Sequence, residues 1–259
     1  MDDWFFDLPV LAMAAIIIGL TVATTALVWV LVTRLVASER GRFGSGVSPG
    51  LLPVLGIVFA FLAGFIAVGV WGELDHARTA VTAEAGAVRD AALLSSPFDA
   101  DTQSRLRDLL RQHVQHAATV EWPAMATQSQ SLAPPVPLVD ALHLTLGLVP
   151  ANDGQRVAQQ KVTEALLAAL EARRERILIS QGGVNAVKWA GLIVIAIIAL
   201  VGIAFVHAET PGAAAVAMTL FAIGVALSLI MIASHNRPFS GELSIRPDFL
   251  LQAIPAAPS

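Results

Sequence analysis

The sequence predicts an all-α integral membrane protein with four transmembrane helices and a helical cytosolic extension. Four runs, residues 8–33, 51–71, 189–206 and 213–233, contain no Asp, Glu, Lys, Arg or His. Each is at least as long as the shortest helices that cross a bilayer core, about 17 residues at about 1.5 Å each. The composition agrees: 56% of residues are hydrophobic and 14% charged, against about 45–50% and about 25% in soluble domains. Between the second and third runs the apolar residues recur at helical spacing, and no stretch alternates with the period of a strand.

The order of these segments gives a first transmembrane hairpin (1–71), a helical cytosolic section (72–186), a second hairpin (187–234) and a tail (235–259). Met1-Asp2-Asp3-Trp4 is acidic and the apolar run after it is long, so the first span is expected to be retained rather than cleaved as a signal. Ser38 to Gly50, rich in Gly and Ser, is the expected loop of the first hairpin. Glu209-Thr210-Pro211-Gly212 is the turn of the second. Trp4, Trp29, Trp71 and Trp189 fall at or near run ends, as interfacial anchors do.

The second run, Leu51 to Trp71, has 13 residues that are Leu, Ile, Val or Phe. Ile57, Phe61 and Phe65 follow each other at i, i+4, i+8 and share one face. That spacing alone suits a stripe facing lipid or core, and equally the wall of a hydrophobic pore. No turn signal separates this run from Leu74, Ala77, Val81, Ala85, Val88 and Ala92, so one long helix is expected, ended by Ser95-Ser96-Pro97. Asp99 or Asp101 then caps a helix with Leu106, Leu109, Leu110, Val114 and Ala117 as its apolar face, stopped at Glu121-Trp122-Pro123. Thr127 to Pro137 reads as a loop, followed by a short helix over 138–148. Asn152-Asp153-Gly154 starts a further helix, which is expected to run through Arg173-Arg174-Glu175-Arg176 and past a kink at Gly182-Gly183 into the third span.

Lys and Arg set the orientation. Arg78, Arg173, Arg174, Arg176, Lys188, Arg237 and Arg246 lie on the side of the helical section, against Arg34, Arg40 and Arg42 on the other. The expected placement is the inner (plasma) membrane, multi-pass, with both termini cytoplasmic. The acids Asp2, Asp3 and Asp7 ahead of the first span argue the reverse, but acids weigh little in this rule.

The sequence contains no cysteine, which excludes thiolate chemistry and Cys-based metal sites. It has no Walker loop, dinucleotide fingerprint, zinc-protease motif or nucleophile elbow, so no enzyme is expected and no cofactor. A net charge of −4 with no basic run gives no reason to expect nucleic acid. His113 and His116, three apart with Glu121 nearby, would share a face as metal ligands do, yet a solvated polar face is the simpler account. Arg173, Arg174 and Arg176 suit an anchor to anionic lipid, an inter-subunit salt bridge, or an anion-attracting ring at a pore mouth. Glu84 and Arg89 suit paired charges between helices or a vestibule lining. Together these five are the candidate charged vestibule or interface. Active transport needs ionisable groups within the membrane, and the spans have none. A passive pore closed by a hydrophobic constriction, or a structural role, fits better.

The tail reads Asn236-Arg237-Pro238-Phe239-Ser240-Gly241, with Pro247 beyond. An Asn, then Pro-Phe-x-Gly, then a Pro after the final span resembles the tail of bestrophin-like membrane proteins of bacteria and plastids. Glu84-Ala85, Glu121-Trp122-Pro123 and Ala172-Arg173-Arg174-Glu175-Arg176-Ile177 with Trp189 match as well, so the resemblance extends over most of residues 50–250. It is more distantly similar to the bestrophin channels, homopentameric anion-permeable pores whose neck is lined once per turn on the second span. The resemblance implies that Ile57, Phe61 and Phe65 form such a neck. It also implies that the chain self-associates, as a pentamer, in membrane lipid, and passes a small inorganic ion. The animal channels follow their Pro-Phe-Gly element with acids that clasp calcium. Here Ser240 is inserted and only Glu242 and Asp248 follow, too few for an ion taking about six to eight oxygens, so no metal is expected. The expected function is a passive ion channel, with a non-conducting scaffold or partner-binding protein as the alternative.

Overall fold

The computed structural model describes residues 5–6, 8–37 and 48–254. The expectations placed on Trp4, on Asp2, Asp3 and Asp7, on Arg40 and Arg42, and on most of the loop from Ser38 lie outside the described residues. Among those described there is no strand. The helices are α1 (Val10–Ala37), α2 (Leu51–Leu94), α3 (Ala100–His116), α4 (Trp122–Ala126), α5 (Val136–Leu146), α6 (Asp153–Ser180), α7 (Ala186–Val206), α8 (Pro211–Ser234) and α9 (Asp248–Leu251). Among the described residues, α1, α2, α7 and α8 are the four helices long and apolar enough to cross a membrane. The chain forms two compact units: residues 1–72 with 183–236, and residues 73–182 with 237–259.

In the first unit, Met13 and Ile17 of α1, Phe59 and Ala63 of α2, Leu192 and Ala196 of α7, and Val225 of α8 form one buried cluster. Val28, Leu200, Ile203 and Met218 anchor a second. Small residues set the close approaches, because association in lipid relies on packing rather than on expulsion of water. A Cβ on Gly202 would stand 3.2 Å from Leu55 Cδ1. The small residues Ala60, Gly64 and Gly224 instead face outward, and a Cβ on either glycine would meet nothing within 4 Å. Trp29 donates its indole N–H to Pro211 O at 3.2 Å, tying α1 to the start of α8. Trp71 is exposed, as an anchor should be. Trp189 is not: it is buried in the cluster with Leu192.

α2 is continuous from Leu51 to Leu94, as its unbroken periodicity predicts. α6 and α7, expected to be one kinked helix, are separate. Gly183 takes φ +143°, a conformation that suits only glycine. Asn185 then caps α7, accepting from Lys188 N at 3.0 Å. Asn236 Oδ1 accepts from Val184 N at 2.8 Å, holding the break.

In the second unit, Asp99 is the cap of α3, accepting from Thr102 N at 2.9 Å. Leu106, Leu110, Val114 and Ala117 are buried as expected. They meet Ala77, Val81 and Val88 of α2, Leu138 of α5, and Val162, Leu166 and Ala169 of α6 in one core. Burying each large aliphatic side chain contributes about 1.5–3 kcal/mol. The helix expected to stop at Glu121 does not stop. A π-turn over Ala117–Glu121 links α3 to α4, with Trp122 N–H bonded to Ala117 O. The wide turn accommodates Pro123, which has no N–H to donate. Gln128 Nε2 reaches Ser180 O and Gly182 O, at 3.3 and 3.1 Å, and satisfies carbonyls left free where α6 ends.

Candidate functional site

Two features stand out, one in each unit. In the first, Ile57, Phe61 and Phe65 are 57%, 62% and 70% exposed, although α2 is packed along its other face through Phe59, Ala63 and Val70. The rings of Phe61 and Phe65 are 6.0 Å apart. The stripe is thus a free apolar face of a span, available to lipid or to other copies of the chain.

The second feature is a buried ion cluster. Glu84 from α2, Glu121 from the π-turn, and Arg173 and Arg176 from α6 are all essentially inaccessible, with His113 of α3 beside them. Arg176 donates from Nε to Glu84 Oε2 at 2.6 Å and from Nη2 to Glu121 Oε2 at 2.7 Å. Arg173 Nε donates to Glu121 Oε1 at 2.8 Å. His113 Nε2 meets Glu84 Oε1 at 2.9 Å. The Arg176 guanidinium lies 4.6 Å from the centre of the Trp122 ring, a cation–π contact. Its Nη1 approaches Met125 Sδ at 3.2 Å.

Glu84 lies in the second unit, beyond the membrane run that ends at Trp71. Burial pushes its carboxyl up. The Arg176 charge, with bonds from His113 and Arg176, more than offsets this and holds it below the ordinary value. Burial likewise lowers the Arg176 pKa, and the charges of Glu84 and Glu121 outweigh it, so the group sits above its ordinary range. Two carboxylates and two guanidinium groups then balance. With Glu84 ionised, His113 donates its proton from Nε2, and among the described residues its buried Nδ1 has no partner.

This geometry corrects several expectations. Glu84 is a charge paired between helices, the first of its two readings, and not a vestibule lining; Arg173 and Arg176 are buried inside one chain, Arg173 on Glu121 and Arg176 on Glu84 and Glu121, and are not lipid anchors. Arg174 is exposed and reaches Glu171 at 3.8 Å, and Arg89 is exposed. His113 does not belong to a solvated face. It turns inward while His116 faces out, which separates the pair that spacing suggested for a metal.

The sequence contained a signal for the cluster. Ala77, Val81, Glu84 and Val88 follow at four, three, four. So do Leu106, Leu110, His113 and Ala117, and so do Val162, Leu166, Ala169, Arg173 and Arg176. Glu84, His113, Arg173 and Arg176 each occupy the seam position of an amphipathic helix, and Glu121 lies in the π-turn. What the sequence does not display is that the three seams converge.

The tail motif divides between the units. Asn236 caps the chain break of the first unit. In the second, Phe239 is buried edge-on to Trp122, with ring centres 5.8 Å apart. Gly241 takes φ +79°, and the turn is closed by Ile245 N to Pro238 O at 2.8 Å. Trp122 Nε1 donates to Ile245 O at 2.8 Å. Trp122 therefore touches the tail on one side and Arg176 on the other.

Four apolar spans and a helical unit built on a buried ion cluster define a class: a polytopic, all-helical membrane protein. Within it, the chain belongs to the Bestrophin-like domain family, whose sequence model matches residues 16–250. The fold is similar to the crystal structure of a bacterial bestrophin homologue from Klebsiella pneumoniae carrying one leucine-to-threonine mutation. The TM-score is 0.67 at 14% identity, over 93% of this chain and 96% of that one. No curated protein matches.

Proposed function

We propose that the protein is a passive ion channel of the inner membrane, assembled as a homo-oligomer and permeable to small anions. Its hydrophobic neck is formed by Ile57, Phe61 and Phe65 from each subunit, and both termini are cytoplasmic. The observation that carries this reading is the free face of α2: three large apolar side chains, one per turn, exposed on a helix whose opposite face is packed. Family membership and the similarity of fold support it, because the bestrophin channels that the sequence resembles place such a neck on their second span. A pentamer is the assembly that resemblance suggests. With no charge in any span, ion passage would depend on wetting of the constriction.

Planar bilayers reconstituted with the purified chain test this reading. A conductance whose reversal potential follows the chloride gradient is expected. Absence of conductance for chloride, nitrate, sodium and potassium alike would overturn the channel and leave the scaffold reading, in which the α2 stripe packs against neighbouring chains with no axial path.

A further inference from the structure

The first unit holds a groove of about 520 Å³ between α1, α7 and α8. Its wall is almost wholly apolar and includes Ile17, Leu20, Ile193, Ile197 and Leu229. Phe5, Trp189 and Ala233 also line it, and they mark one end, where α1 and α7 begin and α8 finishes. From Trp189 the groove follows α7 to Leu200, 11 residues on. That is about 16 Å of helix, close to the ~15 Å of hydrocarbon in a single leaflet.

Two polar features stand at the Trp189 end. Trp189 lines the groove and is only 8% exposed, and among the described residues its indole N–H has no acceptor. A donor left unpaired in a low-dielectric setting is destabilising, so this N–H favours a ligand that brings an oxygen. The adjacent Lys188 is exposed at the start of α7 and supplies a positive charge at the same level.

We infer that this groove binds an anionic phospholipid: one acyl chain lies along α7, an ester carbonyl accepts from the Trp189 indole, and the phosphate pairs with Lys188. The apolar length, the unpaired donor and the cation follow the order of tail, glycerol ester and headgroup in one lipid. A neighbouring copy of the chain would fill the groove with side chains but would have no reason to combine these three at one leaflet's depth. The site does not depend on whether the protein conducts.

The test uses the full chain, delipidated in detergent and titrated with phosphatidylglycerol, phosphatidylcholine or inorganic phosphate. Bound lipid is counted by native mass spectrometry. Phosphatidylglycerol should bind more tightly than phosphatidylcholine, and phosphate alone should not bind. Lys188→Gln should weaken phosphatidylglycerol about fivefold, the effect of one basic residue at an anionic lipid, and leave phosphatidylcholine unchanged. Trp189→Phe should weaken both lipids. Ile193→Trp, which fills the groove from a partly exposed position, should exclude both. Equal binding of the two lipids, or phosphatidylglycerol binding untouched by Lys188→Gln and Ile193→Trp, would overturn the site. So would protection of Ile193 from a membrane-soluble label by oligomerisation rather than by lipid.

Discussion

Arg176 joins both carboxylates of the buried cluster, so its removal has the largest consequence of any single change there. Arg176→Met would leave Glu84 buried with only His113 beside it, and Glu121 with only Arg173. Breaking a buried pair on one side costs about 3–5 kcal/mol. That loss is expected in denaturant titrations of the detergent-solubilised chain, and Glu84→Gln added to Arg176→Met should restore part of it. No restoration would mean that the two side chains act independently. The pH dependence follows from the depressed Glu84 carboxyl. In the unfolded chain it titrates near its ordinary 4.5. Below that pH the unfolded state takes up a proton that the folded state resists. The stabilisation is therefore complete above about pH 4.5 and is lost as pH falls further. Stability measured between pH 7 and pH 3.5 should drop less steeply in Glu84→Gln than in the parent, and parallel curves would contradict this account. Gly183, at φ +143°, offers a third test: Gly183→Ala should cost about 1–3 kcal/mol of backbone strain.

At the scale of elements, the sequence was most readable where periodicity ran unbroken. α2 was legible as one helix from Leu51 to Leu94 because no Pro or Gly cluster interrupts it. Residue type narrowed the cap of α3 to Asp99 or Asp101 and marked the start of α6 at Asn152-Asp153-Gly154, where Asn152 Oδ1 accepts from Gln155 N at 2.9 Å. The break between α6 and α7 was not, because two glycines suit a kink as well as a stop. What decides it is Asn236, distant in sequence, accepting from Val184 N–H. The π-turn was hidden for a similar reason: Pro123 signals an ending, and only the wide turn shows how the helix proceeds. The charged seam positions were visible, but residue type assigned Arg173 and Arg176 to the surface, since arginine is rarely buried without partners. Their partners lie on other helices. The tail turn depends on Trp122. Trp122→Phe keeps the ring against Phe239 and Arg176 but removes the N–H to Ile245 O. A loss of about 1 kcal/mol is expected, together with faster proteolysis between Gly241 and Arg246. Unchanged cleavage would show that the ring alone holds the tail.

At the scale of the whole molecule, membrane insertion and family follow from the four apolar spans and from the match over residues 16–250. The neck belongs to the assembly: the free face of α2 becomes a constriction where copies meet around an axis, and otherwise covers itself with lipid or a neighbour. The conductance of Phe61→Ala separates these possibilities. In a channel with a hydrophobic neck, removing a ring that is 62% exposed widens and wets the constriction at little expense of stability. We expect Phe61→Ala to raise open conductance or abolish rectification while the oligomer melts at its parent temperature. Unaltered currents, or a stability loss of about 3–5 kcal/mol as for a ring packed in a core with no change in conductance, would contradict the neck.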